Sequence, residues 1–193
     1  GPQAKSYEGK TSHVWGEAGG NVQVTPFYRF TFDEKDLRRD FITCFWYYET
    51  EGQPAIHHNY TSHNGKWSKL WNTNGLGDIT TGATGINFAY LRYSDVLLMF
   101  AEAENELNGP TEAAQNALKA VRKRAFKAED QAEMVDAYVA TAAASKADFL
   151  EAVLDERAWE FAGENMRWKD LVRNNQYAEK LYYTFLRYYS VAE

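Results

Sequence analysis

Six residues in the C-terminal third have the types that a hydrolytic centre would use: Glu156, Arg157, Glu160, Arg167, Asp170 and Arg173. Two carboxylates about 5–10 Å apart can cleave a glycosidic bond, one as general acid and the other as nucleophile or base. The spacing favours a different role. Arg167 and Asp170, like Asp170 and Arg173, are three apart, which is ion-pair spacing on a helix, and each acid in the segment has an arginine close by. An arginine neighbour keeps a carboxylate ionised, whereas a general acid needs its pKa raised. Structural pairing is expected, with no catalytic residue among them. His57, His58 and His63 could suggest a metal, but adjacent histidines point apart in an extended chain and no pair has helical i, i+4 spacing. No metal and no cofactor are expected. Gly75-Leu76-Gly77 lacks the further glycine and the lysine of a phosphate-binding loop. The single cysteine, Cys44, lies in the apolar run 41–46 and is expected to pack as a buried thiol.

The aromatic residues are the more informative group. The chain carries 6 Trp, 13 Tyr and 11 Phe, and many of them fall outside any helical pattern. Such a surplus fits either a heavily aromatic core or a surface for neutral sugars, whose C–H faces stack on flat rings while their hydroxyls seek polar neighbours. The candidate ligand contacts are Trp15, Trp46, Tyr48, Tyr60, Trp67 and Trp71, with Asn59, Asn64 and Asn72 as hydrogen-bonding neighbours. Trp159 and Trp168 lie in helical segments and are expected in the core. A net charge of −6 with 25% charged residues gives no electrostatic footprint for nucleic acid.

These residues need elements to hold them. The chain changes character near residue 88. Residues 1–87 are rich in Gly, Asn, Thr, His and Trp and should form an irregular region of loops and short strands; residues 88–193 carry alanine and charge at helical spacing. Phe27–Phe32 and Phe41–Tyr48 are β-branched and aromatic, separated by Asp33–Asp36, which predicts two strands, as in a ribbon. Repeated breakers predict a long loop region from Glu51 to Gly85. A helix should open at Ser94-Asp95, with Ser94 as cap, and stop at Asn108-Gly109-Pro110. A second starts at Thr111 and places Ala114, Ala117, Leu118, Val121 and Ala125 on one face, with Lys119, Arg122 and Lys123 outside it. A third opens at Ser145 with Asp148 at its third position and aligns Leu150, Val153, Leu154, Ala158 and Phe161. A short helix from Asn165 to Arg173 leads into a fourth bearing Tyr177, Leu181, Phe185 and Tyr188. The result is two helix pairs in one structural domain, mainly α, with tetratricopeptide-like hairpins beside an irregular loop and short-strand region. The run Val96–Ala101 is the longest apolar stretch, far short of the roughly 20 residues of a membrane-spanning helix.

Three ordered blocks carry a family likeness. Residues 84–103, TGINFAYLRYSDVLLMFAEA, resemble the TGINWPxxRYxxVLLMxAEA segment of the SusD/RagB family. Val121-Arg122-Lys123-Arg124-Ala125 resembles its VRxRA helix end, and residues 155–173 resemble its ERxxELxFEGxRWxDLxR block. Asp36-Leu37-Arg38-Arg39-Asp40 is similar to a DPRR turn of the family. Phe88-Ala89 stands where the family has Trp-Pro, and Phe161-Ala162-Gly163 compresses Phe-Glu-Gly.

The resemblance implies a central-to-C-terminal fragment of a larger protein with a SusD-like α-α superhelix. It further implies a non-catalytic protein that binds glycan or oligosaccharide nutrients at the surface of the outer membrane and passes them to a SusC-like, TonB-dependent porin. The membrane attachment it implies is a lipid anchor outside this fragment. An alternative from the helical hairpins alone is a tetratricopeptide-type scaffold that binds protein or peptide segments along residues 94–125 and 145–189.

Overall fold

The computed structural model describes residues 3–5, 23–48, 53–56, 62–66 and 83–192, and these are mainly helical. Two compact units divide the chain: Gly1–Asp33, Arg39–Phe88 and Asn175–Glu193 form one, Glu34–Arg38 and Ala89–Asn174 the other.

In the first unit three antiparallel two-stranded pairs are described: β1 (Gln3–Lys5) with β6 (Ala83–Asn87), β2 (Gln23–Val24) with β5 (Ser62–His63), and β3 (Trp46–Tyr48) with β4 (Pro54–Ile56). The expected strand over Phe27–Phe32 is instead a helical turn, α1 (Pro26–Arg29). Pro26 in the first turn has a preset φ and lacks only an N–H that a helix start leaves unpaired anyway, so it outweighs the β preference of the aromatics behind it. Phe41 and Ile42 likewise belong to a turn, α2 (Arg39–Ile42), so only the second half of the run 41–48 is extended. That half pairs with β4, within the segment expected to be loop. Arg29 ties these turns together: Nη2 donates to Asp40 Oδ1 at 2.7 Å, Nη1 donates to Thr43 Oγ1 at 2.9 Å, and the guanidinium lies 4.7 Å from the Phe45 ring centroid. Cys44 and His63 exchange both backbone hydrogen bonds, at 2.8 and 2.7 Å. Gly65 packs so close to the Phe41 carbonyl oxygen that a Cβ there would clash with it. That contact fixes a glycine at the turn.

The second unit is built from an αα-hairpin. Helix α3 (Tyr93–Asn108) stops where Gly109 takes φ +84°, and α4 (Glu112–Arg122) starts with the Thr111 hydroxyl accepting from the Ala114 N–H. The expected stripe Ala114, Ala117, Leu118, Val121 and Ala125 is buried throughout. After short turns comes a wide π-helical segment, Ala132–Ala137, which runs into α5 (Tyr138–Ala142). Helix α6 (Lys146–Glu160) is capped by Ser145, whose hydroxyl accepts from the Asp148 N–H at 3.0 Å. Its buried apolar side is Phe149, Ala152, Val153 and Leu154; Leu150 and Ala158 are only half-buried because the helix must also bury Glu156, Arg157 and Glu160. Leu98, Ala101, Leu118, Val121, Val139, Phe149, Val153 and Phe161 make one continuous core.

Gly163 (φ +75°) and Asn165 (φ +59°) turn the chain, so α7 (Arg167–Arg173) begins two residues later than Asn165. Trp168 on this helix is 58% exposed, which overturns its expected place in the core; Trp159 is half-buried. Helix α8 (Tyr177–Ala192) belongs to the first unit, where Arg187 lies 5.2 Å from the Phe27 ring centroid of α1. Among the described residues no helix is long and apolar enough to cross a membrane.

Candidate functional site

The acids singled out by spacing are held by a network of arginines in the second unit. Glu156 is fully buried: Oε1 accepts from Arg38 Nη1 at 2.7 Å and Oε2 from Arg122 Nη1 at 2.9 Å. Arg38 comes from the short segment Glu34–Arg38, which is also fixed by the Leu37 N–H donating to the Ala125 carbonyl at 2.9 Å. Its guanidinium forks onto Asp36 at 2.7 and 3.0 Å and reaches Glu160 Oε2 at 3.2 Å. Arg122 was expected outside the apolar stripe of α4, yet it is buried. It donates Nε to the Met134 carbonyl of the π-helical segment at 2.6 Å and lies 3.8 Å from the Tyr138 ring centroid, 4.9 Å from Phe126 and 5.3 Å from Trp159. Planar guanidinium suits this position because it stacks on rings while its edge still donates.

Glu160 receives Arg92 Nη1 at 2.9 Å and Arg124 Nη2 at 2.7 Å, and Arg92 also grips Glu164 with two bonds at 2.8 and 2.9 Å. Ser94, expected to cap α3, accepts from Arg92 Nη1 instead. The position before the helix is Arg92 itself, drawn inward by Glu160 and Glu164. A second cluster lies across the Phe161 ring, whose centroid is 4.9 Å from Arg92 and 5.1 Å from Arg157. There Arg157 donates to Asp95 at 2.7 Å and to Asp170 at 2.9 Å, and Arg173 holds both Asp170, at 2.9 Å, and Glu102. Of the two i, i+3 pairs expected, Asp170–Arg173 forms; Arg167 donates to the Leu154 carbonyl instead.

This arrangement is chemically quiet. Burial pushes the Glu160 carboxyl up, but the hydrogen bonds and charges of Arg92 and Arg124 outweigh it and bring it down to about 2. A group so strongly held ionised cannot serve as a general acid. Because its folded-state value lies below its ordinary 4.5, the stabilisation it gives is complete above about pH 5 and disappears as pH falls toward 2. That loss should amount to roughly 3 kcal/mol. Urea unfolding followed from pH 7 to pH 2.5 should show it, and a flat profile below pH 5 would contradict the assigned pairing.

The aromatic candidates lie in the first unit. Trp15, Tyr60, Trp67 and Trp71 fall outside the described residues, as do Asn59, Asn72, His57 and His58. Trp46 opens β3, is half-buried and pairs in register with Ile56, which is well exposed; Tyr48 is in register with Pro54. The Cys44 thiol donates to the Trp46 carbonyl at 3.2 Å, which ties the start of β3 to the Cys44–His63 bridge. Asn64 does not behave as a ligand neighbour. It is buried, and its Oδ1 accepts from the Lys66 N–H at 3.0 Å, closing the turn that carries Gly65.

Comparison with known proteins completes the description. The family model described as the SusD family matches residues 39–191. A SusD-like protein of Formosa agariphila is 45% identical over 87 residues, which are 45% of this chain and 15% of that protein. A second SusD-like protein of the same organism is 32% identical over 102 residues, 53% of this chain and 20% of that one. The crystal structure of a SusD homolog from Bacteroides thetaiotaomicron superposes with a TM-score of 0.76 at 25% identity, covering 93% of this chain and 38% of that chain. The chain thus spans well under half the length of each of these relatives.

Proposed function

The chain belongs to the SusD family, and from that premise we propose that it is part of a non-catalytic cell-surface protein that binds glycan nutrients and delivers them to a SusC-like, TonB-dependent outer-membrane transporter. Family membership is the observation that carries this reading. In it, residues 88–193 supply the helical scaffold, residues 1–87 carry the ligand site, and the complete protein is held at the outer membrane by a lipid anchor. The described chemistry supports it. The acids that could have been catalytic are engaged by arginines, and Glu160 is pinned in its ionised form. A half-buried Trp46 beside an exposed Ile56 offers the flat apolar ground on which a pyranose face stacks.

The test is binding of the complete protein to a glycan panel by array and affinity gel, followed by titration of single alanine variants. Two or three of Trp15, Trp46, Tyr48, Tyr60, Trp67 and Trp71 should contact the ligand. Alanine at such a position should weaken binding roughly 10-fold. If Trp15→Ala, Trp46→Ala, Trp67→Ala and Trp71→Ala all leave the affinity unchanged, this aromatic site is wrong.

A further inference from the structure

Residues Glu34–Arg38 belong to the second unit, although the chain up to Asp33 and the chain from Arg39 belong to the first. This strap is held by charge rather than by apolar packing. Its one large apolar side chain, Leu37, is 48% exposed, and the side chains it buries are those of Asp36 and Arg38. The Leu37 N–H donates to the Ala125 carbonyl, and Lys35 pairs with Asp130 and Glu133. The Lys35 pairs lie at the surface, where such contacts contribute little. The main hold is Arg38, buried among Asp36, Glu156 and Glu160.

Acid acts on this hold selectively. Asp36 of the strap, Glu156 and Glu160 of α6 and Glu164 after it are shared among Arg38, Arg122 of α4, Arg124 of the turn that follows α4, and Arg92 before α3. An arginine stays charged at any pH a protein meets, so protons on these carboxyls leave buried guanidiniums without counter-charge. Arg122 can reach water only by pulling α4, with Leu118 and Val121, out of the core. Arg38 can reach it by lifting five residues that bury no apolar side chain. We propose that Glu34–Arg38 is an acid-released strap: as pH falls and the carboxylates facing Arg38 take up protons, it leaves the second unit while α3, α4 and α6 keep their apolar core. Its departure leaves Ala89–Asn174 as one continuous helical unit.

Native-state amide exchange in the 193-residue chain tests this without reference to any glycan. The Leu37 amide reports on the strap, because its hydrogen bond goes to Ala125; the amides of Leu118 on α4 and Val153 on α6, both fully buried, report on the helices. Each rate is divided by the intrinsic rate at the same pH. Between pH 7 and pH 3 the protection of Leu37 should fall at least about 10-fold further than that of Leu118 and Val153. Asp36→Asn should reproduce the effect at pH 7, since Asp36 pairs with Arg38 alone among the described residues and leaves α4 and α6 untouched. There Leu37 should lose protection about 10-fold while Leu118 and Val153 keep theirs. Three amides that lose protection together, in either experiment, would show that the strap opens only with the whole unit and would overturn the proposal. So would a Leu37 amide that stays protected at pH 3 or in the Asp36→Asn variant.

Discussion

Glu156→Gln is expected to lower the unfolding free energy of the second unit by about 3–5 kcal/mol, a fall in melting temperature on the order of 10 °C. The size follows from what remains when the charge goes. Arg38 and Arg122 would stay where they are, both buried, and would lose the carboxylate that each of them holds at 2.7 and 2.9 Å. The new amide can accept from one of them, but its NH2 must then face the other, donor against donor. Arg38 keeps Asp36 and a longer contact to Glu160. Arg122 keeps the Met134 carbonyl and three aromatic rings, none of which carries a negative charge. The penalty should therefore fall mainly on Arg122, and a double-mutant cycle with Arg122→Met tests that directly. Once Arg122 is gone, removing the charge of Glu156 should cost markedly less than it does in the wild type. Additive losses would show that the pair is not coupled. The same variant separates binding from hydrolysis: a glycan-cleaving activity abolished by Glu156→Gln in a folded protein would overturn the non-catalytic reading.

Why the sequence reveals some of this and hides the rest is a matter of range. The caps at Thr111 and Ser145, the stop at Gly109 and the five-residue stripe of α4 depend on neighbours within four residues, and all of them form as expected. The acids of α6 are likewise identifiable as paired, because the nearby arginines make that the lower-energy state of any buried carboxylate. Which arginines pair with them is not legible. Arg38 lies 118 residues before Glu156, and Asp36–Asp40 gives only the sign of a turn. Arg122 sits at the edge of an apolar stripe, where its charge argues for solvent; the Met134 carbonyl of the π-helical segment, the carboxylate on α6 and the three rings make burial favourable. The false strand at Phe27–Phe32 has the same origin in reverse. Aromatic residues suit strands chiefly through their cross-strand partners, and here the partner that β4 offers goes to Trp46–Tyr48. Asn64 shows how a polar residue in a breaker-rich segment can serve the turn rather than a ligand.

Arg157→Leu should be as damaging as the loss of Glu156, at about 3–5 kcal/mol, and for the opposite charge reason. Arg157 is buried between Asp95 on α3 and Asp170 on α7, so one guanidinium neutralises carboxylates from two helices and fixes both to α6. Without it Asp170 still has Arg173, whereas among the described residues no other cation holds Asp95, which keeps the favourable field at the start of α3. Three substitutions then rank in a definite order. Arg157→Leu strands Asp95, leaves Asp170 with Arg173 alone and loses the stacking on Phe161. Arg157→Lys keeps the charge but, as a point donor, cannot span both carboxylates and the ring, and should cost about half as much. Asp170→Asn keeps an acceptor for one arginine and leaves Asp95 paired, so it should be the mildest of the three. Urea denaturation at pH 7 gives the order. If Arg157→Lys proved as damaging as Arg157→Leu, neutralisation of charge would not be what Arg157 contributes, and the geometry of its fork alone would have to carry the joint between α3, α6 and α7.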